Sequence, residues 1–520
     1  MAEIVEDPAV VGRENRNPGA ARTAIVVGLI LAAAAVLRVW GLSGGLPLQL
    51  SVDEPEIMTR SLGMVKTGDF NPHFFEYPGL YLYLQAGVIV VRFLLGASAG
   101  YWTSLAQVTD FDFYLWGRAV TAAFGTATVF LVYRAGTRWG RIQALVAAGL
   151  LAVMPIHARE SHFVLTDVPT AFFVVLALVL SLRALEKGTG WAFGWAGVAA
   201  GLAAGTKYTA WVAILLPVVA AVMATQPAEA RLRHLLAACG GFFAAYLLVA
   251  PYTLLDLPGF LNGFGALAAS VPPRSPHVER GSIVYYKHLR NAMGQPAMVL
   301  GWVGALLVAV RLVRGPRRAP GAMVLVFVPV FFSTLLGRSL VYARYLMPLL
   351  PFVCLLIAEG FAWSVVLIRR VARPRVLAAA FVVGLVAAVT VQPAITSVGF
   401  DRDMGREGTY ALAYDWMQGH ISPGARIAHE AAAFHPPPGR YREEYMRSLV
   451  HNPTDYLLGG TFDYVIASSA VYGKVFGYPT HYRADFLAYN YLFRHLVPVF
   501  TVPESPDHPG PEVRIFSVPR

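Results

Sequence analysis

The sequence predicts an all-α polytopic membrane protein of about 11–13 spanning helices, followed by a small C-terminal soluble α/β domain. Three observations predict it. Of 520 residues, 56% are hydrophobic and only 14% are charged, where soluble domains carry roughly a quarter. Apolar runs recur at the length a bilayer requires, roughly 20 residues each. After about residue 394 those runs stop, and prolines, mixed charges and short apolar segments take over.

This composition excludes an ordinary cytosolic globule. Cys239 and Cys354 both lie inside apolar runs, so neither a disulfide scaffold nor a cysteine metal site can be built. The net charge of +11 comes from 42 Lys+Arg against 31 Asp+Glu. The basic clusters sit beside apolar runs, which points to a membrane rather than to nucleic acid.

In chain order, a cytoplasmic tail over 1–22 precedes a membrane body over 23–395 and an extracytoplasmic domain over 396–520. Candidate spans fall near 24–42, 79–97, 116–135, 141–157, 168–185, 191–206, 208–225, 235–252, 297–313, 322–338, 343–367 and 376–393. Ala32 to Ala35 resemble a cleavage region, but Glu3, Glu6, Asp7 and Glu14 precede them, unlike a basic signal region. The first span therefore reads as an uncleaved anchor. Acid-free basic clusters at 231–234, 314–318 and 369–375 mark the cytoplasmic side. Counting from them puts Asp167, 253–295, 337–344 and everything after about 394 outside, and 134–141 inside. A forward count puts the first loop, 43–78, outside too, but the two counts differ by one crossing. Either 79–97 lies at the interface or the short 191–206 does not span. In the C-terminal domain, Tyr410 to Met417 has helical spacing, while 426–429, 462–467 and 513–518 read as strands.

Ionisable residues at a membrane boundary are costly, so each is a functional candidate. Asp53-Glu54 follows the first span: a carboxylate there suits general-base work, and the same residues suit a helix N-cap. Glu76 lies within an aromatic, proline-rich stretch from Asn71 to Tyr83 that also fits an interfacial belt. A carboxylate in that setting calls for a cation or a substrate. Arg118 opens an apolar run and fits snorkelling equally well. Between His157 and Pro169, Arg159 suits a phosphate and Asp167 a sugar hydroxyl, with Thr166 as the competing N-cap. His157 and His162 stand five apart with no third ligand, which rules out zinc. Lys207, the basic run 274–290, Arg338 and Arg344 beside Tyr345 lie on the presumed outer face, against the insertion rule. An anionic headgroup, specific or merely bilayer lipid, would hold them there. No phosphate-binding glycine loop, nucleophile elbow or His-Glu-x-x-His pair occurs.

Together these residues resemble the GT-C glycosyltransferases that use polyprenyl-phosphate sugars, specifically the protein O-mannosyltransferase and lipid A aminoarabinose transferase family. The motifs are Asp53-Glu54, Asn71 to Leu80, Gly117-Arg118-Ala119-Val120-Thr121-Ala122 and Arg159 to Pro169. Gly201 to Tyr208 and Arg344-Tyr345-Leu346-Met347-Pro348 extend the match, which covers roughly 20–395. The resemblance implies a helical membrane body with its active site at the first outer loop. By position, Asp53 would be the general base, Glu54 its partner in the acidic pair and Asp167 a second acid near the sugar. Glu76, Arg118, Arg159, Lys207, Arg344 and Tyr345 would serve the donor's sugar and phosphate. One departure stands out: Tyr77 occupies a place where some members carry a lysine, so that lysine's role must be supplied elsewhere.

The reaction implied is a single displacement at the anomeric carbon with inversion, the acceptor hydroxyl losing its proton to Asp53. The donor is already activated, so the chemistry requires no nucleotide, cofactor or metal. Partners would be the lipid-linked donor, a hydroxyl acceptor on protein, lipid or glycan, and the bilayer, with no nucleic acid; the setting would be a bacterial inner membrane. The rivals are a transporter or flippase of lipid-linked sugars, which calls for midplane charges and repeated halves, and a membrane scaffold or receptor.

Overall fold

The computed structural model describes residues 18–46, 51, 53–270, 281–314, 318–336, 341–372, 374–430 and 439–519. Most of the N-terminal tail, the basic residues at 274–280 and 315–317, Arg338 and Arg373 lie outside the described residues.

Among the described residues, nine helices are long and apolar enough to cross a membrane. They are Pro18–Val39, Gly79–Ser98, Tyr114–Gly136, Asp167–Lys187, Ala228–Val249, Gly281–Arg314, Arg318–Leu336, Leu350–Val371 and Arg375–Met404. Of the two segments suspected of not spanning, Gly79–Ser98 is among these nine. Gly190–Thr206, with 17 residues, is not. It lies between Asp167–Lys187 and Ala228–Val249, its small residues letting neighbouring backbones approach.

Several candidate spans differ from the sequence reading. The candidate at 141–157 breaks at Val153-Met154, because Pro155 starts a separate short helix, Pro155–Glu160. The run at 297–313 is the second part of Gly281–Arg314, which kinks at Gly294 (φ 79°) beside Pro296. The candidate at 208–225 divides into a 3-10 turn, Tyr208–Ile214, and a short helix, Leu215–Val222, and is not among the nine; that at 343–367 becomes a helix only at Leu350, after the turn Ala343–Leu346. The last span continues to Met404, past its expected end.

Asp167–Lys187 lies at the centre of the body, and Val168, Ala171, Val174, Val175, Ala177 and Leu178 are all buried. A helix apolar all round belongs in such a place. One acid, Glu359, sits within a spanning helix, Leu350–Val371. It is buried, ion-paired to Arg311 and hydrogen-bonded by Gln143 Nε2 at 3.1 Å, which ties three helices together. The same two long helices touch through Gly304 and Gly360, where a Cβ would collide with the carbonyl oxygens of Leu356 and Leu300.

The C-terminal domain is a five-stranded sheet of order β2-β1-β3-β5-β4. The strands are β1 Arg426–His429, β2 Arg442–Tyr445, β3 Tyr464–Ser468, β4 Val497–Val502 and β5 Val513–Ser517. β1 pairs in parallel with β2 and β3, and β5 runs antiparallel between β3 and β4. Tyr410, Ala413 and Met417 of helix Thr409–His420 cover one face, against Ile427, Ile466 and Ile515. Tyr472, Tyr489 and Leu492 cover the other. Sequence reading found β1, β3 and β5 but not the two edges. β2 is wholly exposed and polar, and β4 carries Pro498 beside a bulge, so neither shows clean alternation.

Two outcomes follow from this packing. Gly304→Val and Gly360→Val should each destabilise the body by about 1–3 kcal/mol, read as a lowered melting temperature in detergent. Gly384→Val, where a Cβ meets nothing within 4 Å, should leave it unchanged. In the C-terminal domain, burial pushes the Glu430 carboxyl up from 4.5 to about 7, partly opposed by hydrogen bonds from Leu449 N, Tyr489 Oη and Ser468 N. The folded state therefore binds this proton more tightly than the unfolded one. Its contribution is complete below pH 4.5 and is lost as pH rises towards about 7. Thermal unfolding should show a less stable domain at pH 8 than at pH 5, with a smaller difference in Glu430→Gln.

Candidate active site

The first loop is organised by the helix Glu54–Thr67, which opens with Pro55 in its first turn and closes at Gly68 in the left-handed conformation. Asp53 occupies the N-cap position, yet its side chain makes no capping bond. Its Oδ2 instead lies 2.7 Å from Arg344 Nη2 and accepts a hydrogen bond from Tyr77 Oη at 3.2 Å. Capping falls to Glu54, which reaches back to accept from Ser51 N at 2.8 Å. Thr166, the other expected N-cap, also makes no side-chain capping bond.

Asp167 forms a second acid–cation pair, 2.6 Å from Lys207 Nζ. Lys207 is placed by the end of Gly190–Thr206, and Asp167 by the first turn of Asp167–Lys187. Arg344 comes from a short turn, Ala343–Leu346, ahead of Leu350–Val371. Tyr345 joins the two pairs: its ring centroid is 5.2 Å from Lys207 Nζ and 6.0 Å from the Arg344 guanidinium.

The two pairs share one electrostatic environment. Burial disfavours the Arg344 cation, but Asp167, Asp53, Tyr77 and Glu160 more than offset it, and its pKa is raised. Burial, followed by the charges of Asp53 and Asp167, holds the Tyr77 proton well above the usual phenol range. One arginine and one phenol thus feel both carboxylates, although two spanning helices, Gly79–Ser98 and Tyr114–Gly136, separate Asp53 from Asp167 along the chain. Glu160, buried and 2.9 Å from Arg159 Nε, adds a third acid.

The structure corrects one expectation and leaves a second without its cation. Arg118 neither snorkels nor stands open to a phosphate, because it is fully buried. Its Nε and Nη2 each lie 2.9 Å from a Glu54 oxygen, and Nη1 donates to Leu42 O at 3.1 Å and Gly44 O at 2.9 Å. Glu54, equally buried, also accepts from Val164 N at 2.8 Å. Protein partners take four of Arg118's five N–H groups, so Arg118 and Glu54 hold the loop. Glu76 has the opposite problem. It is exposed, with no ion-pair partner among the described residues. Partial burial and then the charges of Glu56 and Asp53 raise its pKa, with Arg60 opposing. Of the basic run 274–290, Lys287 and Arg290 belong to helix Gly281–Arg314, and the remainder is largely outside the described residues.

Sequence reasoning missed Tyr77 as a ligand of Asp53, and Glu160. Tyr77 had a signal, since it replaces a lysine in the motif. Its hydroxyl sits on the acid, while Lys207 and Arg344 bring positive charge from elsewhere. Glu160 had none beyond its place between Arg159 and Asp167.

The architecture is that of GT-C glycosyltransferases. The fold matches the oligosaccharyltransferase AglB from Archaeoglobus fulgidus, solved with an inhibitory peptide and a dolichol-phosphate, with a TM-score of 0.56 and 13% identity over 93% of this chain and 74% of that one. It also matches ArnT from Cupriavidus metallidurans, solved with undecaprenyl phosphate, with a TM-score of 0.55 and 16% identity over 95% of this chain and 98% of that one. Residues 104–254 match the family described as dolichyl-phosphate-mannose-protein mannosyltransferase. No curated protein is matched by sequence. The fold and this partial family match agree with the resemblance that the motifs carry. The matched segment carries Arg118, Arg159, Asp167 and Lys207 but stops short of Asp53 and Arg344.

Removing one member of the buried pair strands the other. Arg118→Met should destabilise the first loop by about 3–5 kcal/mol, seen as faster proteolysis within the turn 40–46 and lower yield in the membrane. Arg118→Met combined with Glu54→Leu should recover most of the yield.

Proposed function

We propose that this chain transfers a sugar from a polyprenyl-phosphate donor to a hydroxyl acceptor at the extracytoplasmic face of the membrane, by a single inverting displacement with Asp53 as general base. The observation that carries this reading is the meeting of two partly buried acid–cation pairs, Asp53–Arg344 and Asp167–Lys207, around one tyrosine ring.

The pairing gives the reaction its logic. Without substrate, each carboxylate is neutralised by a cation, which keeps two acids stable in a half-buried site. A phosphate offers Arg344 and Lys207 a more highly charged partner, and guanidinium binds it with two parallel hydrogen bonds. As the cations turn to the phosphate, Asp53 loses its counter-charge and becomes a stronger base. It then takes the acceptor's proton while the acceptor oxygen attacks the anomeric carbon and the polyprenyl phosphate leaves, its charge stabilised by Lys207 and Arg344. Asp167, at the same site, is suited to orient the sugar hydroxyls. The AglB and ArnT structures, solved with dolichol-phosphate and undecaprenyl phosphate, support a donor of this chemical kind. The exposed Glu76 pairs with neither cation and is the residue least needed by this scheme.

The test is transfer of radiolabelled sugar from polyprenyl phosphate by the purified chain. Asp53→Asn should lower kcat by about 100- to 10,000-fold, with membrane abundance and melting temperature unchanged; near-normal turnover removes Asp53 as the base. Lys207→Met should lower kcat/KM by about 100-fold or more, whereas Glu76→Gln should stay close to the parent enzyme.

A further inference from the structure

Beside the proposed site lies a second cluster that the reaction does not use. Arg38, His157, His162 and Asp401 are all fully buried, and they join the end of Pro18–Val39, the turn after Pro155–Glu160 and the last turn of Arg375–Met404. Arg38 donates to Ala34 O, Ala152 O and Leu151 O at 2.8–3.0 Å, and to His157 Nδ1 at 2.9 Å. Both ring nitrogens of His162 lie 3.0 Å from carbonyl oxygens, Nδ1 from Ala158 and Nε2 from Trp40. Asp401 Oδ1 lies 3.4 Å from Nε2. Asp401 lies between His162 and the nearby Arg38, and neither of its oxygens has a hydrogen-bond partner among the described residues.

Trp40 begins the turn 40–46, and that turn is clamped from the other side by the same helix end. A Cβ on Gly41 would come within 2.9 Å of Asp401 O, and one on Gly44 would collide with Met404 O. The carbonyls of Leu42 and Gly44 receive Arg118, which grips Glu54, the neighbour of Asp53. Val164, two residues beyond His162, donates to Glu54 as well.

We propose that His162 and Asp401 are positioning residues: they lock the turn 40–46 and, through Arg118 and Glu54, fix the place of the Asp53 carboxylate. The seat of the C-terminal domain is thereby coupled to the site. The kinetic half of the test rests on the glycosyl-transfer reading; the structural half does not.

The experiment compares Asp401→Asn and His162→Gln with the parent, as full chains in nanodiscs. Hydrogen–deuterium exchange of the peptide covering 40–46 should quicken by about tenfold or more, with 167–187 unchanged; unaltered exchange in the folded variants overturns the proposal. In sugar transfer, kcat should fall about 10- to 100-fold, with the KM for polyprenyl-phosphate sugar within about twofold of the parent. Adding either change to Glu54→Gln should cost little more than Glu54→Gln alone, because both act through one element; losses that multiply refute that route. If the single variants fail to accumulate, His162→Phe with Asp401→Leu removes both buried polar side chains together and is read in the same two ways. A parent chain that transfers no sugar from any polyprenyl phosphate removes the glycosyl-transfer reading, and exchange at 40–46 still decides the lock.

Discussion

The constraint on which the structure depends is that a charge buried near hydrocarbon must be neutralised where it stands. The Glu54–Arg118 pair shows how this becomes architecture. Arg118 belongs to a spanning helix and Glu54 to the first loop, and neither is exposed. Their two parallel hydrogen bonds fix the start of Glu54–Thr67 against the membrane body. The spare donors of Arg118 gather the turn 40–46, and the spare acceptors of Glu54 gather Val164. The loop is thus ordered by a few short polar contacts. Asp53 inherits its position from them: its neighbour is fixed, leaving its own carboxylate free to turn towards Arg344.

The same rule, applied less completely, separates the reactive groups from the structural ones. Glu54 and Arg118 are fully buried and held by several protein partners each, whereas Asp53 and Lys207 are half-buried and each holds one principal ion partner. A site that must exchange its partners for a substrate needs pairs that are stable yet replaceable. Partial exposure supplies this, because screening weakens an ion pair that solvent reaches. Arg159 is more exposed still, and its contact with Glu160 leaves its outer face open.

How much was legible follows from the range of each interaction. The helical body was readable because few soluble folds hold so many apolar runs of bilayer length, and β1, β3 and β5 because their burial alternates or runs continuously. The candidate acids and cations were readable by their isolation at the ends of apolar runs. What escaped depends on contacts across long stretches of chain. Nothing local to Arg118 reveals that its partner is Glu54, 64 positions earlier in the chain, so a buried structural pair looked like a phosphate ligand. Asp401 was hidden for the opposite reason: beside Arg402 and Asp403 it resembles the polar edge of a membrane helix. Only the fold shows that it turns inward to His162 and Arg38. Glu359 had a signal that went unused, a lone acid within an apolar run.

The placement of Arg344 carries the argument furthest. It lies 291 positions beyond Asp53, on a short turn next to residues outside the described set, yet it is the cation that neutralises the proposed base. Tyr342 and Tyr345 hold its guanidinium by ring contacts at 5.2 and 6.0 Å rather than by carbonyl bonds of the kind that immobilise Arg118. Ring faces constrain a guanidinium loosely in direction, while bidentate carboxylate bonds fix it. An arginine that must leave an acid for a phosphate is better served by the looser hold. The difference between these two arginines, one fastened by backbone oxygens and one cradled by tyrosines, is what lets the first build the loop while the second remains available for the proposed chemistry.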